Sequence, residues 1–234
     1  MLWKTSALKG CAIRASDGQI GTVSDFLFDE ASWLIRWLVV DTGTWLTGRK
    51  VLLPPSVLGH ADVVGREFSV KLKRAEVENS PETDTDLPVS RHFESEVYRH
   101  YGWNPYWGIG AYSMGSWVGI GAVGALPIQD PIEQHETMAD MKRGDEDPDL
   151  RSIEAVTGYH LHATDGEIGH VSDFMIEDAD WSVHFLVADT RNWWPGPHVL
   201  ISPRLVSQIR WTERLVYIDA DRQKIKDGPP PIPR

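Results

Sequence analysis

A chain of 234 residues is long enough for one large domain or two small ones, and its 41% apolar and 24% charged content excludes wholesale disorder. Its 34 acidic against 23 basic side chains leave a formal charge of −11, the wrong sign for gripping nucleic acid by counterion release. A single cysteine excludes intrachain disulfides and Cys-based zinc clusters, while eleven tryptophans require large aromatic surfaces in cores or at contacts. The opening Met1-Leu2-Trp3-Lys4-Thr5 has no signal-peptide pattern, and with a lone Cys11 the expected compartment is the reducing cytoplasm.

In chain order, Ala12-Ile13-Arg14-Ala15 reads as a short strand ending at Asp17-Gly18, a pair suited to a type I′ hairpin turn with positive φ. A strand from Ile20 to Phe28 follows. The apolar run Ile35-Arg36-Trp37-Leu38-Val39-Val40 then fits a strand buried on both sides. Val51-Leu52-Leu53, Val57 to Val63 and Phe68 to Leu72 supply three more strands, and Arg74 to Glu78 a closing helical turn.

The same series then returns. Residues 10–55 and 158–203 align without a gap at a constant offset of 148, and the register still holds where Arg74 meets Arg222 and Pro81 meets Pro229. Gly10 matches Gly158, Asp17 Asp165, Phe26 Phe174, Trp33 Trp181, Asp41 Asp189 and Trp45 Trp193. A duplicated all-β domain follows, with Asp165-Gly166 as the second turn. Six short strands in some seventy residues bury little as an open sheet. The predicted architecture is therefore two small closed or partly open β-barrels in tandem.

Between them, residues 82–152 hold a balance of −8, against +1 for residues 1–81 and −4 for residues 153–234. This acidic middle reads as a connector in three parts. A helix over about 89–101 carries Phe93, Val97, Tyr98 and Tyr101 on one side, with Ser90 as N-cap. A Gly- and aromatic-rich stretch covers 102–128, and an acidic tether 129–152. The expected domains are 1–81, the connector, and 153–229, with a Pro-rich tail at 230–234. Residues 101–129 carry no formal charge, but their glycines and prolines count against a lipid-embedded helix.

Few residues suggest chemistry. Gly119-Ile120-Gly121-Ala122-Val123-Gly124 spells a dinucleotide fingerprint without the strand and helix it needs. Ala111-Tyr112-Ser113-Met114-Gly115 is a near miss of a nucleophile elbow. His160 and His162 share a strand face and are the candidate metal ligands, beside His170, His184 and His198. Their counterparts in the first copy are Ala12, Arg14, Thr22, Arg36 and Lys50, which reads them as surface residues. Asp25, Asp29 and Asp41, with Asp173, Glu177 and Asp189, recur as possible calcium ligands but sit where strand-end carboxylates cap turns. Cys11 reads as packing. No catalytic residue, cofactor or firm metal site is predicted. Trp33, Trp45, Trp181 and Trp193 are the candidate interface anchors, with core filling as the competing role.

The pattern Gly-Tyr-x-x-x-Ala-x-Asp-Gly-x-Ile-Gly, then Val-x-Asp-Phe, Trp-x-x-x-x-Leu-Val, Asp-Thr-x-x-Trp and Val-Leu-x-x-Pro resembles the PRC-barrel family. The likeness covers about residues 7–81 and 155–229. Barrels of this family occur in the cytoplasmic part of the photosynthetic reaction-centre H chain and in a ribosome-maturation factor. The resemblance implies a non-enzymatic docking or scaffold protein linked to electron-transport-type complexes. Two other functions remain open: a metal- or small-ligand-binding sensor using the His-rich second copy, and a peripheral membrane accessory. The expected partner is a protein, with a homodimer or packed tandem barrels as the assembly; nucleic acid is disfavoured.

Overall fold

The strands expected at the 148-residue spacing form two sheets with one neighbour order. The computed structural model describes residues 1–62, 65–81, 89, 91–106, 150–190 and 198–227, in two units: residues 1–87 with 149–234, and residues 88–148. The first unit holds both sheets. Its first half comprises β1 (Leu2–Lys4), α1 (Thr5–Leu8), β2 (Ala12–Ala15), β3 (Gly18–Asp29), β4 (Ile35–Asp41), β5 (Lys50–Leu53), β6 (Leu58–Asp62), β7 (Glu67–Val70) and α2 (Arg74–Glu78). Its second half comprises β8 (Leu150–Ser152), α4 (Ile153–Val156), β9 (His160–Ala163), β10 (Gly166–Glu177), β11 (Val183–Asp189), β12 (Val199–Ile201), β13 (Val206–Arg210), β14 (Leu215–Ile218) and α5 (Arg222–Lys226). In the other unit, α3 (Arg91–Tyr101) places Glu94 in its first turn and Arg99 and His100 in its last, as the helix dipole favours.

The first sheet runs β5-β4-β3-β2-β7-β6 and the second β12-β11-β10-β9-β14-β13. Registers repeat as well: Ala12 faces Thr22 as His160 faces His170, and β2 pairs β7 in parallel as β9 pairs β14. The closed alternative is corrected to a partly open one. Among the described residues β5 and β6 are not hydrogen-bonded to each other, nor are β12 and β13. Instead the ends of each path are joined through the chain by a 3-10 turn, Pro55–Val57 or Pro203–Leu205. Proline removes a donor and fixes φ, so these positions turn rather than continue a ladder.

The central strands of each sheet are buried on both faces, as the adjacent Trp37 and Leu38 of β4 show. Ile13, Phe26, Trp37, Leu38, Val51 and Leu53 are fully buried in the first, and Leu161, Phe174, Ile176, Leu186, Ile201 and Val216 in the second. β3 and β4 approach so closely at Gly21 that a Cβ there would lie 2.2 Å from the Asp41 carbonyl oxygen, and between β10 and β11 a Cβ at Gly169 would lie 2.0 Å from that of Asp189. Gly169 also holds φ at +125°, where other residues are strained. Gly21→Ala and Gly169→Ala should each cost at least the ~1–3 kcal/mol of an overpacked core, Gly169→Ala more, as read by urea unfolding.

The Asp-Gly corners are two-residue loops of another kind than expected. Ala15 pairs Gly18, and the loop residues Ser16 and Asp17 do not have positive φ; Gly18 and Gly166 do, at +149° and +138°. A type I′ turn would need positive φ at both central residues. Asp17 instead accepts the Arg74 amide at 2.8 Å and Asp165 the Arg222 amide at 2.9 Å, tying each corner to its closing helix.

The largest departure from expectation lies at the start of each half. Leu150–Ser152, assigned to the acidic tether from sequence, is a strand, and so is Leu2–Lys4. Neither joins its own sheet. β1 pairs antiparallel with β10 and β8 with β3, so each half gives a short strand and helical turn to the other.

Candidate interaction interface

The exchange is prepared by a bulge. Register slips between Val23 and Asp25 in β3, and between Val171 and Asp173 in β10, leaving Ser24 and Ser172 as the extra residues. A bulge breaks the two-residue alternation and re-aims the next side chain. Asp25 is therefore buried together with Phe26, Leu27 and Phe28, and Asp173 together with Phe174, Met175 and Ile176. Strand residues buried on successive positions need cover on both faces, and the exchanged segment supplies part of it.

Each carboxylate receives the arm of the opposite half. Asp173 accepts the Thr5 hydroxyl at 2.7 Å, the Ser6 amide at 3.2 Å and the Ser6 hydroxyl at 2.5 Å. The residue before α1 is Lys4, whose side chain makes no capping bond, so Asp173 performs the capping from outside the segment. Asp25 accepts the Ser152 hydroxyl at 2.5 Å and the Glu154 amide at 3.0 Å, while Ser152 also caps α4 through the Ala155 amide. Burial pushes the Asp25 carboxyl above the usual carboxylate range, against the pull of Ser152 and of the Phe26 and Glu154 amides.

Trp33 and Trp181 stand where the two halves meet. Both adopt left-handed backbone, φ +57° and +59°, which is costly for a bulky residue. The conformation turns each carbonyl outward: the Trp33 oxygen accepts the Val183 amide and the Trp181 oxygen the Ile35 amide, both at 2.8 Å. Between them Leu34 bridges Ser182, its own counterpart in the repeat. Phe28 stacks on Trp33 at 5.1 Å and meets Phe174 of the other half at 5.9 Å; Trp181 reaches Phe68 of the first half at 6.1 Å.

Unlike contacts lie around this symmetric centre. Arg151 donates to Glu30 at 2.6 Å and lies over the Trp211 ring at 4.5 Å, Trp3 donates to Asp178 at 3.1 Å, and Lys9 meets Glu154 at 3.0 Å.

Residues 4–77 match the family model of the PRC-barrel domain. This chain carries a PRC-barrel domain. The matched span starts at Lys4, the last residue of β1, and includes α1, so the helical turn of the arm lies within the match and Leu2 and Trp3 lie before it. No curated protein matches the chain.

The remaining candidate residues are scattered. Trp45 of the PRC-barrel domain is half-buried under the Arg74 guanidinium, 4.5 Å from its ring. Trp193, residues 107–149, the Gly119–Gly124 run and Ser113 lie outside the described residues. His160 pairs with Glu167 at 2.8 Å, and the Nδ1 of His162 faces the Ala163 carbonyl at 2.9 Å, so the two rings are engaged separately. Asp29 accepts the Ala31 and Ser32 amides and Arg36, and Asp41 the Gly43 amide; the Arg36 and Ser32 bonds outweigh burial and hold the Asp29 carboxyl low. Among the described residues no three His, Cys, Asp or Glu side chains are grouped to hold a metal, and no helix is long and apolar enough to cross a membrane. Burial pushes the Cys11 thiol up, as for a packed rather than a reactive cysteine.

Sequence reasoning named Trp33, Trp181, Asp25 and Asp173, which the structure brings to the junction, but not the arms. The detectable signal was slight: Leu2 and Leu150 at the repeat spacing, each followed within four residues by a hydroxyl that meets the other half's aspartate.

Proposed function

We propose that the chain is a non-enzymatic docking or scaffold protein made of two PRC-barrel modules in tandem, occupying residues 1–81 and 153–229 with their exchanged arms. The observation that carries this reading is how the repeated polar residues are used. Asp17 and Asp25, with their counterparts Asp165 and Asp173, accept backbone amides or hydroxyls of distant segments, while Asp29 and Asp41 close their own turns. What duplication preserved is thus the means of holding segments together. Met1 is the one large hydrophobic side chain left exposed among the described residues, which favours docking through polar groups and strand edges over an apolar patch. The likeness to the reaction-centre H chain suggests a membrane-bound electron-transfer complex as the class of target.

A photo-crosslinking residue at Trp45, compared with one at buried Trp37, tests the reading in the native cell. A discrete protein adduct is expected from position 45 and none from position 37. Turnover of a metabolite by the purified chain, lost on one polar substitution, would overturn it.

A further inference from the structure

We propose that the junction of the two halves is a self-complementary interface that forms without the intervening peptide, so that its partner in trans is the opposite half of a second copy of this chain. This goes beyond the docking reading and stands on the junction alone.

The contacts come in pairs related by the repeat. Arm 2–4 lies on β10 residues 175–177, and arm 150–152 on β3 residues 27–29. Hydroxyl and amide groups of one arm meet Asp173, and those of the other meet Asp25. Val183 donates to the Trp33 carbonyl, and Ile35 to that of Trp181. A surface in which position i meets j while the counterpart of i meets the counterpart of j is the signature of a two-fold homodimer. Each half carries both an arm and a receiving groove, and every one of these groups lies in residues 1–87 or 149–234. The peptide between the halves thus raises their effective concentration and supplies none of these bonds.

The unlike contacts set which half is preferred. Lys9 meets Glu154, whereas a pair of two first halves would set Lys9 against Ser6, the counterpart of Glu154. Arg151 meets Glu30 where the repeat-related pair is Trp3 with Asp178, so that position takes either donor and does not discriminate. The Lys9–Glu154 ion pair, which only a first half with a second half can form, therefore favours that pairing over like with like.

The test uses the full chain with a protease site placed within residues 107–148, cut after folding. The cut protein should still elute at low micromolar concentration as one particle near the intact mass of 26.4 kDa. Tagged and untagged cut preparations, mixed in urea just below the unfolding midpoint and returned to buffer, should give about half mixed pairs, as expected for equivalent interfaces. In Asp25→Ala with Asp173→Ala the halves should exchange about ten- to a hundred-fold faster, because each change strands the donors of an arm. Asp25→Asn with Asp173→Asn keeps an acceptor oxygen and should exchange near the wild-type rate. Separation of the halves on cutting, absence of mixed pairs, or wild-type exchange in the double alanine variant would each overturn the proposal. None of these outcomes bears on whether another protein docks, whereas metabolite turnover would remove the docking reading and leave the exchange untouched.

Discussion

Phe28→Ala and Phe174→Ala should each lower unfolding free energy by about 3–5 kcal/mol, as for a large aromatic side chain removed from a close-packed core. Both rings are wholly buried, and they face each other across the junction at 5.9 Å. Phe28 has a second role, since its ring stacks on Trp33 at 5.1 Å and thereby supports the left-handed backbone that aims the Trp33 carbonyl at Val183. Phe28→Ala should therefore expose the Val183 amide to exchange, whereas a change remote from the junction, such as Leu53→Ala, should leave that amide as protected as the rest of β11. Urea unfolding gives the first quantity and amide hydrogen exchange the second. A double variant with both phenylalanines removed should cost less than the two single changes together, because the ring contact is lost only once. Full additivity would mean that the rings do not meet.

Much of this architecture was legible from residue order. The apolar run Ile35 to Val40 is a strand because β-branched and aromatic residues suit a pleat covered on both faces, and it is buried as expected apart from the half-exposed Arg36. The repeat also carried its topology, since equal turns at equal spacing impose equal neighbours. The arms were illegible for a physical reason. Three residues of strand have no measurable periodicity, and their pairing partner lies some 120–175 positions away. Asp25 and Asp173 could be recognised as strand carboxylates that cap something, but not as caps for a segment of the opposite half, because the bulge that re-aims them leaves no composition signal. Trp33 and Trp181 were candidate interface anchors with core filling as the competing role; their positive φ, and with it the use of their carbonyls, belongs to tertiary constraint rather than to tryptophan's own preference. The Asp-Gly corners erred the other way, since a familiar turn pair was used for its side-chain acceptor instead of its backbone.

The two capping carboxylates should differ in consequence although they occupy equivalent places. Asp173→Ala is expected to cost about 2–3 kcal/mol, toward the upper range for stranding a buried donor, because the Thr5 hydroxyl it releases is itself buried and has no access to water. Asp25→Ala should cost less, about 1–2 kcal/mol, since Glu154 is exposed and Ser152 only half-buried, so water can replace part of what is lost. Asp25→Asn separates the hydrogen bonds from the charge. Its amide oxygen still accepts the Glu154 amide, and Ser152 can accept from its nitrogen. Because burial raises the Asp25 carboxyl in the folded protein, the folded state holds that proton at a pH where the unfolded chain, near ~3.9, has released it. The associated stability is fully present below the unfolded value and is lost as pH rises through the folded one. Asp29, held low by Arg36 and Ser32, acts oppositely: its contribution is present above the unfolded value and is lost as pH falls through the folded one. Asparagine at position 25 removes the first dependence and leaves the second, so the stability of Asp25→Asn relative to wild type should improve from pH 3 to pH 7. Thermal or urea unfolding of both proteins across that range measures the difference, and a difference independent of pH would show that the carboxyl at position 25 titrates alike folded and unfolded.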